Sequence, residues 1–581
     1  MRMIIEPRDG DAEDDASSTK KRSLVAIAGS LLGEISLPKL VLSWILVVLL
    51  PGLLLGVAPL LLGAWISSVS GRIAALAGIG PLLVLALVAA IGWYGFRPLF
   101  RIAEYGFWSL NALAVQPGYA LCREGLRHLA ESFMPAGADQ TSRARLRAAS
   151  AYGAGLLCFL LAGFLILRLW PATRWTGSLA DLVHPLRLVR PSLANTVTVM
   201  AAYFGIASLL WGVADGSMDQ PLDLAGFGEA PEGARRWRVA HLSDIHVVGE
   251  RYGFRIESGR AGPRGNERLA RVLARLEEIH AAAPLDLLLI TGDMTDAGRS
   301  AEWGEFLDAI QAHGSLAERT LILPGNHDVN IADRANPARL ELPTSPGKRL
   351  RQMRTLSAAD AVQGRRVQVF DASRTKLGGS LAAFLEPHRE KIAAFADTGG
   401  LRLSSGLSSV WTDAFPMVLP PDGPEGLGVV LLNSNAETHF SFTNALGLVS
   451  EEDIRAALAV IDAFPRAGWI LALHHHPVEY PKPAKAFSER IGTALINGSH
   501  LVRMLKRVAP RVVAMHGHRH IDWIGRCGAF TIVSAPSPVM EATDRDPTHF
   551  YIHTLAVGGG RLALLEPERI DIVPQEPGPT A

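Results

Sequence analysis

Cysteine is scarce. Cys122, Cys158 and Cys527 are the three in 581 residues, far apart and in no ligand spacing. That excludes a disulfide scaffold and a thiolate metal site. Net charge is nearly absent too, at +1, which leaves no electrostatic case for nucleic acid or for an acidic substrate. No secretory leader is legible, because the polar lead-in is too long and no small-residue cleavage site follows a short apolar core. Residues 1–36, with Asp9, Gly10 and Asp11 and the basic trio Lys20, Lys21 and Arg22, read instead as a disordered polar tail.

Charge is missing altogether from two long stretches, 41–66 and 74–96. Two further apolar runs cover about 151–169 and 192–212. Each approaches or exceeds the roughly 20 residues that cross a hydrocarbon layer of about 30 Å. The expectation is an all-helical domain over 37–213 that crosses a membrane four times. Pro51 and Pro59 fit a span only as kinks packed against neighbours, and Gly52, Gly56 and Gly63 would allow that approach. Arg and Lys favour one side, with thirteen before the first run and over 97–150 against five in the other two loops. The positive-inside rule then places both chain ends, and the whole chain beyond the last span, in the cytoplasm of a bacterial inner-membrane protein. The stretch 97–150 has no sustained apolar period and reads as one or two helices at the membrane surface. Residues 214–236 are rich in Gly, Pro and acid and read as a linker.

The remainder of the chain, from residue 237 onward, is organised around five strand ends. V-A-H-L-S-D-I-H puts Asp244 and His246 just past an apolar strand. L-L-L-I-T-G-D-M-T-D puts Asp293 and Asp296 past a second, and T-L-I-L-P-G-N-H-D puts Asn326, His327 and Asp328 past a third. W-I-L-A-L-H-H-H-P adds His474, His475 and His476, and V-V-A-M-H-G-H-R-H adds His516, His518 and His520. Helix-like sequence separates the first three strands, the βαβ rhythm of a buried sheet whose ligand sites lie at strand C-termini. Nine of the 18 histidines lie in or beside these segments. With the aspartates and Asn326 they offer mixed nitrogen and oxygen ligands suited to Mn, Fe or Zn rather than Ca. Alternation in D-x-H and H-x-H predicts side chains pointing one way from an extended segment.

These blocks, D-x-H, G-D-x-x-D, G-N-H-D, a later H and G-H-x-H, stand in the order found in calcineurin-like metallophosphoesterases, which the segment 237–570 resembles. The blocks look most like those of bacterial class III phosphodiesterases that act on cyclic nucleotides and simple diesters. The resemblance implies an α-β-β-α sandwich. No helical period separates the late strands near 530–534, 550–556 and 562–565, so they are expected to be antiparallel, as a second sheet needs, and 571–581 is expected to be a loose tail. The resemblance implies two divalent ions, one on Asp244, His246, Asp293 and His520, the other on Asp293, Asn326, His474 and His518. Asp293 would bridge them. It also implies that Asp296 holds the His327 ring, that His327 meets the phosphoryl oxygens, and that hydroxide activated by the metal pair attacks phosphorus. Asp328 is expected to fix a turn, and His241 and His516 to support loops.

The interval 329–426 carries Lys348, Arg349, Arg351 and Arg354, then Arg365, Arg366, Arg374 and Lys376. A lid or cap meeting an anionic substrate or lipid headgroup is expected there, beside the blander reading of a solvated face. The substrate is expected to be a phosphomonoester, a phosphodiester such as a cyclic nucleotide, or a lipid-linked pyrophosphate. Membrane lipid is the other expected partner, nucleic acid is not, and the oligomeric state is open. The competing class is a non-catalytic membrane receptor or scaffold that keeps the metal cradle for shape.

Overall fold

The computed structural model describes residues 3–11, 53–61, 63, 115–135, 139–177, 184, 186–249, 264–331, 341, 345–437, 444–481, 495–539 and 547–573. The chain divides into two compact units. One comprises Met1–Ser36, Asp219–Lys485 and Gly492–Ala581, and the other Leu37–Met218 and Ala486–Ile491.

The first unit holds two mixed sheets. Its described strands are β1 Pro221–Asp223, β2 Arg235–Leu242, β3 Leu287–Ile290, β4 Thr320–Ile322, β5 Gln368–Asp371, β6 Lys376–Ser380, β7 Met417–Leu419, β8 Leu427–Leu431, β9 Gly468–Ala472, β10 Val512–His516, β11 Trp523–Cys527, β12 Phe530–Ser534, β13 Thr548–Gly558, β14 Arg561–Leu564 and β15 Glu568–Ile572. Nine run in the order β1-β11-β12-β10-β9-β8-β7-β5-β6. Six form the other sheet, β14-β13-β2-β3-β4, with β15 also paired to β13. The centre of each sheet is parallel: β8, β9, β10 and β12 in the first, β2, β3 and β4 in the second. β3, β8 and β9 are buried along their whole length. Strands covered on both faces need no polar alternation, which is why they read as continuous apolar runs. Side chains from both sheets, among them Val239, Ile290, Val429, Ile470 and Val513, join one hydrophobic core.

Two topological expectations change. β12 pairs parallel with β10 and extends the nine-stranded sheet, so only β13, β14 and β15 of the late strands add antiparallel edges to the other one. No helix separates β10 from β12, but the short antiparallel strand β11 does, and it returns the chain to run parallel. β1, inside the stretch read as a linker, pairs with β11 as an edge strand.

The interval after His327 is built into the fold. β5, β6 and β7 continue the nine-stranded sheet beyond β8. The helix Pro346–Gln363 is buried along most of its length. Its basic residues turn inward: Lys348 meets Glu437 at 3.1 Å, Arg349 meets Gln352, Arg351 meets Glu341 and Arg354 meets Asp11. These four are not an outward-facing surface for an anion. The sequence could not reveal this, because two of the partners, Glu437 and Asp11, lie at remote positions in the chain. Residues 3–11, within the stretch expected to be a disordered polar tail, are placed against this unit, with Ile5 in the core.

The second unit is helical where described. Its helices are Gln116–Ser132, Gln140–Leu169 and Leu186–Ser217, with a further helical stretch over 53–61. Two helical segments, Gln140–Ala172 and Leu186–Ser217, are long and apolar enough to cross a membrane. They approach closely at Gly155 and Gly212, where an added Cβ on either would meet the other helix's backbone. Small residues at such a contact allow dense packing where no water drives association. Leu156, Leu157, Phe159, Leu160, Leu161, Phe164 and Leu167 remain exposed. The expected span over 74–96 and most of that over 41–66 lie outside the described residues, as does the tail from 574 onward.

Candidate metal centre

All five strand ends meet at one place. Asp244 and His246 follow β2, Asp293 and Asp296 follow β3, Asn326 and His327 follow β4, His474 follows β9, and His518 and His520 follow β10. Every one is the C-terminal end of a parallel strand, the edge where open α/β sheets bind ligands.

The loops are not extended as the alternation suggested. Asp244, His246, Asp293, His518 and His520 all have positive φ, between 49° and 78°. Among the described residues Thr375 is the one other non-glycine in that region. Such conformations cost of order 1–3 kcal/mol each and persist where surrounding structure over-determines them. The side chains therefore converge through tight left-handed turns. The motif glycines make room for this: a Cβ on Gly517 would occupy the space of Ser243 and the Asp244 carboxylate, and one on Gly325 that of the Asp293 carboxylate.

Three groups of potential ligand atoms result, each drawn within 4.8 Å. They are Asp244, His246 and His520; His246, Asp293 and His327; and Asp293, His474 and His518. Asp293 faces both sides. Its Oδ2 lies 3.3 Å from His474 Nε2 and 3.7 Å from His246 Nε2. Its Oδ1 accepts the backbone N–H of His327 at 2.8 Å. Around His474 Nε2 also stand Asn326 Oδ1 and His518 Nδ1, each at 3.1 Å. On the other side His520 Nε2 lies 3.4 Å from Asp244 Oδ1.

These contacts test whether cations fit. His474 Nδ1 donates to the Thr291 carbonyl at 2.8 Å, which leaves Nε2 to hold a proton or, once that proton is lost, a metal ion. Nε2 faces a carboxylate, an amide oxygen and a second imidazole nitrogen. Two donors bound at about 2.1 Å to one ion would stand about 3.0–3.4 Å apart, close to the spacings seen here. The residues fit a divalent cation on each side of Asp293. Burial opposes the charged form of Asp293, but His474 and His327 beside it hold its carboxyl well below the usual range. His474 is likewise opposed by burial yet pushed up to about 9 by Asp293. In the ion-free cradle the two form an internal ion pair, and a cation would displace that proton.

His327 is anchored differently from the expectation. Its Nδ1–H donates to the backbone carbonyl of Asp296 at 2.7 Å, not to the carboxylate. The Asp296 carboxylate lies 3.8 Å from His246 Nδ1 instead. Asp328 does fix a turn: its carboxylate accepts from Thr295 N, Thr295 Oγ1 and Gly325 N. His241 meets Thr291 Oγ1 at 3.0 Å and His516 the Gly517 carbonyl at 3.1 Å, both as loop supports.

Two supporting residues escaped the sequence reading. Ser434 Oγ accepts from the backbone N–H groups of His474 and His475, both at 3.1 Å, and donates to His475 Nδ1 at 2.9 Å. The neighbouring Asn433 accepts from Asn435 through its side-chain oxygen. Glu302 accepts from the Ala297 and Arg299 amides under the turn that follows Asp296. Its place three residues after Arg299, in the first turn of the helix Ser300–Gln311, is the signal that could have found it.

Residues 238–522 match the family described as calcineurin-like phosphoesterase. No curated protein matches the chain. Among solved structures, it resembles a protein from Staphylococcus aureus described as a 5′-nucleotidase, at 12% identity and TM-score 0.30, over 60% of this chain and 56% of that one. It also resembles a calcineurin-like phosphoesterase from Bacillus subtilis, at 11% identity and TM-score 0.26, over 58% of this chain and 91% of that one. A purple acid phosphatase from yellow lupin seeds gives 14% identity and TM-score 0.26, over 56% and 50%. The chain thus spans about half the length of the first and third.

Proposed function

We propose, from the match of residues 238–522 to the calcineurin-like phosphoesterase family, that the full chain is a membrane-anchored hydrolase of phosphodiester, phosphomonoester or pyrophosphate bonds. The observation that carries this reading is Asp293, whose Oδ2 faces His474 on one side and His246 on the other. Asp244, His246, Asp293 and His520 would hold one divalent ion, and Asp293, Asn326, His474 and His518 the second. Bound there, Mn, Fe or Zn would neutralise phosphoryl charge and make water acidic enough to act as a nucleophile.

The chain's own groups do the rest. His474 Nδ1 is fixed by Thr291, so the ring cannot turn Nε2 away from Asp293 and Asn326. His327 commits Nδ1 to the Asp296 carbonyl, which leaves Nε2 for a phosphoryl oxygen or the leaving group. A proton held there would steady developing charge or protonate the departing oxygen. His327 is also less buried than Asp293 and His474, as a substrate-facing group must be.

The membrane reading rests on the two apolar helical segments, their small-residue contact and their exposed apolar side chains. An even number of spans, four by the sequence, leaves the phosphoesterase domain on the cytoplasmic side. A substrate carried by lipid or released near the membrane suits that arrangement.

The purified full-length chain, loaded with Mn²⁺, is expected to hydrolyse bis(p-nitrophenyl) phosphate. Asp293→Asn is expected to abolish turnover and lower bound metal without unfolding the chain. Wild-type turnover in that variant, with metal content unchanged, would sink the assignment.

A further inference from the structure

The segment 3–11 belongs to the unit that carries the metal centre, although residues 37–218 of the other unit separate the two in sequence. Its attachment is specific. Ile4 N–H and Ile5 N–H both donate to the buried Ser357 Oγ, at 2.9 and 2.8 Å. Arg8 pairs with Asp308 on the helix Ser300–Gln311. Asp11 is fully buried. Its carboxylate takes both Arg354 Nε and Arg354 Nη2, and also accepts from Ser300 Oγ at 3.2 Å.

These contacts lead to the active-site turn. Arg354 Nη1 donates to the Gly298 carbonyl at 2.9 Å. Gly298 N–H in turn donates to Thr295 Oγ1 at 3.1 Å, and Gly298 itself is held at φ 66°. Between Thr295 and Gly298 lies Asp296, whose carbonyl anchors His327. The turn 295–300 is thus pinned at Thr295 by Asp328, at Ala297 and Arg299 by Glu302, at Gly298 by Arg354 and at Ser300 by Asp11. Asp11 contributes to the last two of these pins. A guanidinium in a buried bidentate pair has its orientation fixed by its partner. Without Asp11, Arg354 would be a buried cation left to seek another anion.

We propose that the segment 3–11 completes the phosphoesterase domain, and that Asp11 is a positioning residue that aligns His327 through Arg354 and the 295–300 turn. The proposal rests on the reading of His327 as a phosphoryl-facing group. It makes activity depend on residues contributed from the far side of the apolar region.

The test uses the full-length chain in detergent micelles with Mn²⁺ and bis(p-nitrophenyl) phosphate. Asp11→Asn and removal of residues 2–11 are each expected to lower kcat about ten- to a hundredfold, the scale of a small misplacement near the chemistry. KM and bound metal should stay within about twofold of wild type, because the ligand-bearing loops are untouched. Asp11→Ala combined with Arg354→Met removes both charges; it should recover the melting temperature while kcat stays low. Hydrogen exchange read at the amides of 297–300 should quicken in every variant, and that readout does not depend on turnover. Wild-type kcat and wild-type exchange after removal of 2–11 would overturn the proposal. So would a loss of kcat that tracks loss of metal and of melting temperature, which would mark a merely structural role. A wild-type chain that hydrolysed no phosphoester would fail the function reading on its own, and the exchange comparison would then decide whether the segment holds the turn.

Discussion

His327 is held by the main chain of Asp296, not by its carboxylate: Nδ1 donates to the carbonyl oxygen at 2.7 Å. The two side chains should therefore separate under mutation. His327→Ala is expected to lower kcat by about 10²–10⁴-fold, the usual worth of a positioned acid or charge stabiliser. Asp296→Asn keeps the carbonyl and should cost about tenfold or less. Steady-state rates on bis(p-nitrophenyl) phosphate, with metal content measured alongside, check both. Equal losses in the two variants would return the carboxylate to the role the family resemblance implied.

Ser434 offers a test of how the histidine loop is supported. Its buried Oγ serves two backbone N–H groups, those of His474 and His475. Ser434→Ala leaves both without an acceptor, at a cost of about 1–3 kcal/mol for each buried group unsatisfied. Thermal or urea unfolding of the metal-free chain should show that loss. Outer supports of metal ligands commonly change affinity about 10–100-fold, so Mn²⁺ titration should show weaker binding as well. Unchanged affinity with lower stability would confine Ser434 to the fold.

Glu302 makes a pH prediction. Burial pushes its carboxyl up, Asp296 adds to the shift, and the result is about 8 against an ordinary value of 4.5. Between those values the folded chain keeps a proton that the unfolded chain has lost, so stability falls as pH rises. The contribution is fully present below about pH 4.5 and lost as pH passes through 8. Each unit of pH within the window is worth at most about 1.4 kcal/mol. Glu302→Gln cannot ionise and should unfold with a flatter profile from pH 5 to 9. Parallel profiles for variant and wild type would refute a neutral Glu302.

The sequence was most informative where chemistry and strand ends coincide. Asp244, Asp293, Asn326, His474 and His518 could be picked out because each comes after an apolar strand, and such strands are buried on both faces in this fold. The conformation that brings them together was not legible. Alternation predicted extended loops, whereas five of the ligand-type residues sit at positive φ, which no local pattern of Asp and His reveals. Lys348, Arg349, Arg351 and Arg354 looked like a basic face because charge in a sequence carries no address. Their anchoring depends on partners such as Asp11 and Glu437, which the fold brings in from distant positions. Asp11 itself was hidden among acidic residues of a polar lead-in, where composition alone argues for disorder.

The docking of residues 3–11 also constrains topology without any use of charge counts. Asp11 and Arg354 are in contact, so the lead-in and the phosphoesterase domain must occupy the same side of any membrane that the intervening segment crosses. The number of spans between them is then expected to be even. Two of the candidate spans, Gln140–Ala172 and Leu186–Ser217, are described helices, and two more at 41–66 and 74–96 would keep the count even at four. Reporter fusions or single cysteines placed after Arg22, Arg72, Arg123, Arg187 and Arg236 map each loop. Signals at 22, 123 and 236 should agree with one another and oppose those at 72 and 187. The excess of Lys and Arg on the first set predicts that the agreeing side is the cytoplasm. Agreement of 22 with 236 on the outer side would reverse the orientation and keep the docking. Opposite signals at 22 and 236 would break the docking itself, because Asp11 could not then reach Arg354 within one chain.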